Sequence, residues 1–201
     1  AATDVGVFVR NVNSSEEWYP FNSNLPQKIV TDLEINPDFN AIYAATYGRG
    51  LWKSPLHCIY NSEPFYVNDD HLIWTTNQIR EQTIIIPAGK ILEIRNCTVF
   101  MPSDAKIVVE RGGQLILDGG TLSSACNDLW WGVELQGDSR NIQTEQYQGK
   151  IIMRNEAVIE DARKAIFCGK NIENTYPDWN YTGGIIDATN STFQNNKFGI
   201  L

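Results

Sequence analysis

The stretch KIIMRNEAVIEDARKAIF (Lys150–Phe167) is matched, thirty-four residues on and without a gap, by GIIDATNSTFQNNKFGIL (Gly184–Leu201). Ile151-Ile152 lines up with Ile185-Ile186, Ile159 with Phe193, Asp161 with Asn195, Arg163 with Lys197 and Ile166 with Ile200. Each copy is a set of short apolar runs punctuated by Gly, Asn and Asp. Such a unit cannot bury its own apolar face, so copies must stack on one another. The match predicts a solenoid of short strands, a right-handed parallel β-helix, with Ile151 directly against Ile185 on the neighbouring pass.

Outward from that pair, short runs recur from Thr83 onward: Thr83–Ile86, Lys90–Ile94, Thr98–Met101, Lys106–Val109, Gln114–Leu117 and Trp131–Leu135. Gly and Asn at the joints supply the positive-φ bends that corners need. Further upstream the runs alternate: Val5–Val9, Glu17–Phe21, Ile29–Ile35, Ala41–Thr46 and Gly50–Lys53. Turn residues separate them at Asn11–Ser15, Asn22–Pro26, Asn36-Pro37-Asp38 and Tyr47–Gly50. Closely spaced strands with tight turns make an antiparallel meander. No window sustains apolar residues at helical spacing over three turns. The chain is therefore read as all-β, with a meander over 1–56, a connector over 57–82 and a coil over 83–201. Phe198–Leu201 matches Lys164–Phe167 and so begins a new pass. This reads as a fragment of a larger protein, with its coil truncated at the C-terminal end.

Composition narrows the function classes. The 201 residues carry 16 basic and 24 acidic side chains, a net charge of -8, which argues against a nucleic-acid partner. No apolar run approaches the ~20 residues of a membrane-spanning helix, and no signal peptide opens the chain. Six Trp, eight Tyr and eight Phe suit both strand formation and a sugar-binding face. The four cysteines, Cys58, Cys97, Cys126 and Cys168, form no CxxC pair, which argues against a zinc knuckle. They allow up to two disulfides in three connectivities, or buried free thiols.

Two resemblances give these elements context. Thr3–Phe8, Trp18, Leu25-Pro26, Asp32–Pro37 and above all Ala44–Trp52 resemble the last blade and a half of a BNR/Asp-box β-propeller. Asn96-Cys97-Thr98, Met101-Pro102, Ala105–Val109, Gly112–Leu117, Cys126, Trp131-Gly132-Val133 and Gly137 are similar to a parallel β-helix domain of large exported Bacteroidota surface proteins. In that group the domain often adjoins propellers and precedes a type IX secretion signal. The resemblance implies an antiparallel propeller-blade meander followed by a right-handed, pectin-lyase-like solenoid. It implies a secreted or cell-surface address, and Cys97 and Cys126 close together on adjacent coils as a candidate disulfide. The implied partners are a cell-surface glycan, secretion or outer-membrane machinery, and the rest of the parent propeller and β-helix. No catalytic Asp and Arg set of pectate lyases or polygalacturonases has a match here.

Candidate chemistry concentrates in two inserts, Asp138–Gln148 and Gly169–Tyr181. In the gapless alignment they fall between equivalent strands, hence at one corner of the coil. They carry Tyr147, Tyr176, Trp179 and Tyr181 with Asp138, Glu145, Glu173 and Asp178. Aromatic faces beside carboxylates suit sugar binding; caps that merely pack on the coil are the alternative. Tyr147, Tyr176, Trp179, Tyr181 and Asp178 are the candidate ligand-binding residues. Asp69-Asp70-His71 is a metal or acid–base candidate, but adjacent residues on an extended segment face opposite ways, which favours a solvated loop. Gly112-Gly113 and Gly119-Gly120 lack the Lys and helix of a phosphate loop and read as corners. No nucleophile motif supports Ser-His-Asp catalysis. The expectation is a non-catalytic structural, adhesive or glycan-binding fragment without metal or cofactor. The rival is a piece of a glycoside hydrolase or polysaccharide lyase.

Overall fold

A computed structural model describes residues 1–9, 18–21, 25–36, 41–55, 60–126, 128–170 and 177–201. They fall into two compact units, residues 1–56 and 57–201.

The first unit holds two three-stranded antiparallel sheets. One joins β1 (Ala2–Thr3), β2 (Gly6–Val9) and β3 (Tyr19–Pro20); the other joins β4 (Val30–Asn36), β5 (Ala41–Thr46) and β6 (Gly50–Pro55). Its small core is Val7, Val30 and Ala44, backed by Phe21, Leu25 and Leu33. The expected tight turn at Tyr47–Gly50 is present: Thr46 pairs with Gly50, and the Thr46 hydroxyl donates to the Gly50 carbonyl at 2.8 Å.

The second unit is three five-stranded parallel sheets, and each pass of the chain adds one strand to each sheet. The first sheet runs β7 (Asn61–Tyr66), β10 (Gln82–Ile86), β13 (Lys106–Val109), β16 (Trp130–Leu135) and β19 (Ala162–Cys168). The second runs β8 (His71–Trp74), β11 (Ile91–Arg95), β14 (Gln114–Asp118), β17 (Lys150–Arg154) and β20 (Ile185–Ala188). The third runs β9 (Gln78–Ile79), β12 (Thr98–Met101), β15 (Thr121–Ser124), β18 (Ala157–Glu160) and β21 (Ser191–Gln194). This stacking is consistent with a parallel β-helix. Alternation decides what enters it: Leu92 and Ile94 point inward from β11 with no exposed surface. Leu115 stacks on Leu92 and Ile151 on Leu115, so like side chains form continuous apolar columns.

Two expectations are corrected. The segment 57–82, read as a connector, contains β7, β8 and β9, which form the first pass of the coil. Ile151 pairs with Ile186 rather than Ile185, which opposes Lys150. The third sheet keeps the thirty-four-residue offset, Ile159 against Phe193. The difference arises at one corner, where Asn155 and Glu156 both take positive φ while Asn190 alone does so on the next pass. One extra residue slips the register, and a slip of one exchanges inward and outward faces. The early passes are shorter than the duplicated unit. Ile84 and Ile107, Leu92 and Leu115, and Val99 and Leu122 are each 23 residues apart.

Candidate functional site

Both inserts join a strand of the first sheet to one of the second, β16 to β17 and β19 to β20, so they occupy the same corner of successive passes. Gln148, fully buried, stitches them together. Its amide oxygen accepts from the Asp138 N–H at 2.9 Å and from the Gly184 N–H at 3.1 Å. Its amide nitrogen donates to the carbonyls of Asp138 and Ile142 at 3.0 and 3.2 Å. All the hydrogen-bonding capacity of a buried primary amide is thereby used, which is what its burial requires. A Cβ at Gly137 would lie 2.4 Å from that amide oxygen, so the chain passes here only as glycine.

Arg111 adds a second clamp from the preceding corner. It donates to the carbonyls of Gly137 and Asn180, both at 2.7 Å, and its guanidinium lies 4.1 Å from the Tyr181 ring centre. The Lys170 ammonium lies 4.7 Å from the same centre. A ring with two cations this close to its centre gains cation–π attraction on top of burial. Asp178 caps the short 3-10 turn Trp179–Tyr181 and accepts from the backbone and side-chain N–H groups of Asn180 at 3.0 and 2.9 Å. That turn lifts Trp179 into solvent, where it is 67% exposed.

The candidate residues thus have distinct placements. Asp178, Trp179 and Tyr181 share one turn, with Trp179 free and Tyr181 half-buried under Arg111. Tyr147 is half-buried on the other insert, and no ring contact joins it to them. Tyr176 and Glu173 lie outside the described residues, as do His57 and Cys58. The insert acids have local partners: Glu145 binds Lys150 at 2.5 Å, and Asp138 accepts from Arg140 and Asn141. Those hydrogen bonds hold the Asp138 carboxyl below the usual carboxylate range. Among the described residues, no group of three His, Cys, Asp or Glu side chains is placed to hold a metal ion.

The Asp69-Asp70-His71 candidate resolves into two contacts. Asp70 meets Lys90 at 2.9 Å, which keeps its carboxyl acidic. His71 begins β8 and reaches Glu93 at 2.8 Å. Glu93 went unnoticed in the sequence: it sits between two core residues of β11, points outward, and is nevertheless buried. Arg95 grips its other oxygen at 2.9 and 2.6 Å. Glu134 is its counterpart on the first sheet, bound by Lys106 at 2.7 Å and Gln136 at 2.8 Å. Buried carboxylates need such partners, and the only sequence signal was an acid alternating with core residues.

The cysteine expectation is corrected. Cys97 is a free, buried thiol that donates to the Trp74 carbonyl at 3.4 Å, and burial pushes its pKa up. Cys168 is also free, and burial likewise raises its pKa. Cys126 is disulfide-bonded, so Cys97 is not its partner. Cys97 precedes β12 whereas Cys126 follows β15. Parallel neighbours place those positions a strand length apart, about 13 Å at ~3.3 Å per residue, beyond the reach of a disulfide.

No helix among the described residues is long and apolar enough to cross a membrane. Comparison with family models, with curated proteins and with solved structures finds no match to this chain.

Proposed function

We propose that this chain is a non-catalytic, glycan-binding module of a secreted or cell-surface protein, built as a right-handed β-helix preceded by the closing strands of a β-propeller. The observation that carries the reading is the insert corner. Gln148 holds the corner through buried hydrogen bonds to Asp138, and Arg111 donates to the Asn180 carbonyl of the turn that presents one exposed indole. An indole presented on a capped turn has its backbone already ordered before binding, and the C–H face of a sugar ring is its natural counterpart. A disulfide at Cys126 supports an oxidising compartment. For residues 1–56 the support is coarser: their strands pair in antiparallel sheets of three, and the propeller reading rests on the resemblance of Ala44–Trp52. Type IX export is the route proposed by the Bacteroidota resemblance.

The test is a titration of the whole chain with neutral oligosaccharides, read by tryptophan fluorescence. Weak binding is expected, about millimolar, or roughly 4 kcal/mol. Trp179→Ala is expected to abolish it. Binding that survives this substitution, or turnover of a polysaccharide by the chain, overturns the reading in favour of a carbohydrate-active enzyme.

A further inference from the structure

A second feature lies away from the inserts, where the third sheet hands over to the first. Strand β19 departs from alternation: Ala162 is buried, Arg163 and Lys164 are both partly exposed, and Ala165 and Ile166 are both buried. The pairing shows the cause. Gly132 of β16 opposes Lys164, but the next residue, Val133, opposes Ile166, so β19 carries a bulge. A bulge redirects side chains, and here it turns two consecutive cations outward. Gly132 makes it feasible, since its φ is +100° and a Cβ there would meet the Lys164 carbonyl oxygen at 1.6 Å.

The next pass adds Lys197 and Phe198, whose N–H groups donate to the carbonyls of Ala162 and Arg163. Together with Trp131 and Leu129, these side chains line a groove of about 460 Å³. Arg163 is fixed in it by stacking 4.5 Å from the Trp131 ring centre and by donating to the Leu129 carbonyl at 3.3 Å. Among the described residues its one carboxylate neighbour is Asp128, which stands 3.9 Å away and is largely exposed. Among the described residues, neither the Lys164 nor the Lys197 ammonium has a carboxylate partner. Three cations against one acid is a local reversal of sign in a chain of net charge -8.

We propose that this groove binds an acidic saccharide, one whose ring carries a carboxylate or sulfate. The cations answer the anionic group, and the apolar floor of Trp131, Leu129 and the half-exposed Phe198 answers the ring. Stacked passes repeat at ~4.8 Å, so Arg163 and Lys197 present charge at about the step of one sugar unit in an extended chain. The net negative charge elsewhere opposes long polyanions such as nucleic acids, whose affinity needs many contacts. This site is independent of the insert corner.

The experiment titrates the whole chain with an oligomannuronate tetramer and with mannotetraose, which differ in their carboxylates alone. Measurements are made at low and high salt by calorimetry. The charged tetramer is expected to bind, the neutral one at least tenfold more weakly, and the difference to shrink as salt screens it. The variant Lys164→Gln/Lys197→Gln is expected to lose at least tenfold in affinity for the mannuronate, with an unchanged far-UV spectrum, because Lys197 is exposed and Lys164 gives up only a contact of its ammonium with the Phe167 ring. Lys164→Arg should retain binding. Equal affinity for the two tetramers, or insensitivity to the double substitution, overturns the proposal. So does tighter, equally lysine-dependent binding of an oligothymidylate or of anionic vesicles.

Discussion

Replacing Gly132 with alanine probes the bulge that builds the groove. The added Cβ would lie 1.6 Å from the Lys164 carbonyl oxygen and 2.7 Å from its carbon. Relief requires β16 and β19 to part by more than an ångström, since ordinary contacts start near 3.0 Å. About two ladder hydrogen bonds are then lost, at roughly 1 kcal/mol each. Alanine held at φ +100° adds about 1–3 kcal/mol of backbone strain. The expected destabilisation is therefore about 3–5 kcal/mol. Gly89→Ala is the control: φ is +74° but nothing lies within 4 Å of the new Cβ, so only strain remains, about 1–2 kcal/mol. Urea unfolding of both variants, followed by far-UV dichroism and tryptophan fluorescence, separates the close approach from the dihedral. If Gly132→Ala costs no more than Gly89→Ala, within about 0.5 kcal/mol, the strands are not packed as described and the outward pair Arg163-Lys164 loses its structural cause.

Other consequences can be checked on the same protein. Leu115, fully buried between Leu92 and Ile151, should cost about 3–4 kcal/mol as Leu115→Ala in urea unfolding. Gln148→Ala strands the N–H groups of Asp138 and Gly184 and should cost about 2–4 kcal/mol while opening 136–149 to limited proteolysis. In denaturant without reductant, alkylation should mark Cys97 and Cys168 but not Cys126, with Cys97 protected in the folded protein. Burial, reinforced by Glu160, raises the Asp161 pKa above its unfolded value, so the charged form costs stability as pH rises through the folded pKa. Asp161→Asn, which suits the left-handed φ of 55°, should stabilise at neutral pH, and the gain should vanish below about pH 4.

How much of this was legible depends on how far each signal reaches along the chain. Strand type and corners rest on near neighbours, and alternation with Gly and Asn punctuation located nearly all the strands from Thr83 on. Rung length did not show, because inserts after β16 and β19 stretch the 23-residue spacing of the earlier passes. The first pass was missed because β9 is only two residues long and leaves little alternation to see. The register of Ile151 failed on one residue, Glu156, whose extra bend is indistinguishable in sequence from a polar strand end.

The two sites differ in the same way. The insert corner was legible because an insertion announces itself as length, and it held Asp178, Trp179 and Tyr181 together. What fixes it was not: Gln148 looks like any surface glutamine until two distant N–H groups converge on its oxygen. In the groove, nothing in the sequence singles out Arg163-Lys164, since in a regular strand one of two neighbours points inward. Only the bulge sends both outward, and only Gly132, some thirty residues earlier, permits it. A glycine that serves a corner and one that admits a neighbour's carbonyl are the same letter. The cross-strand atom that would collide with a Cβ distinguishes them, and that atom is supplied by the next pass of the coil.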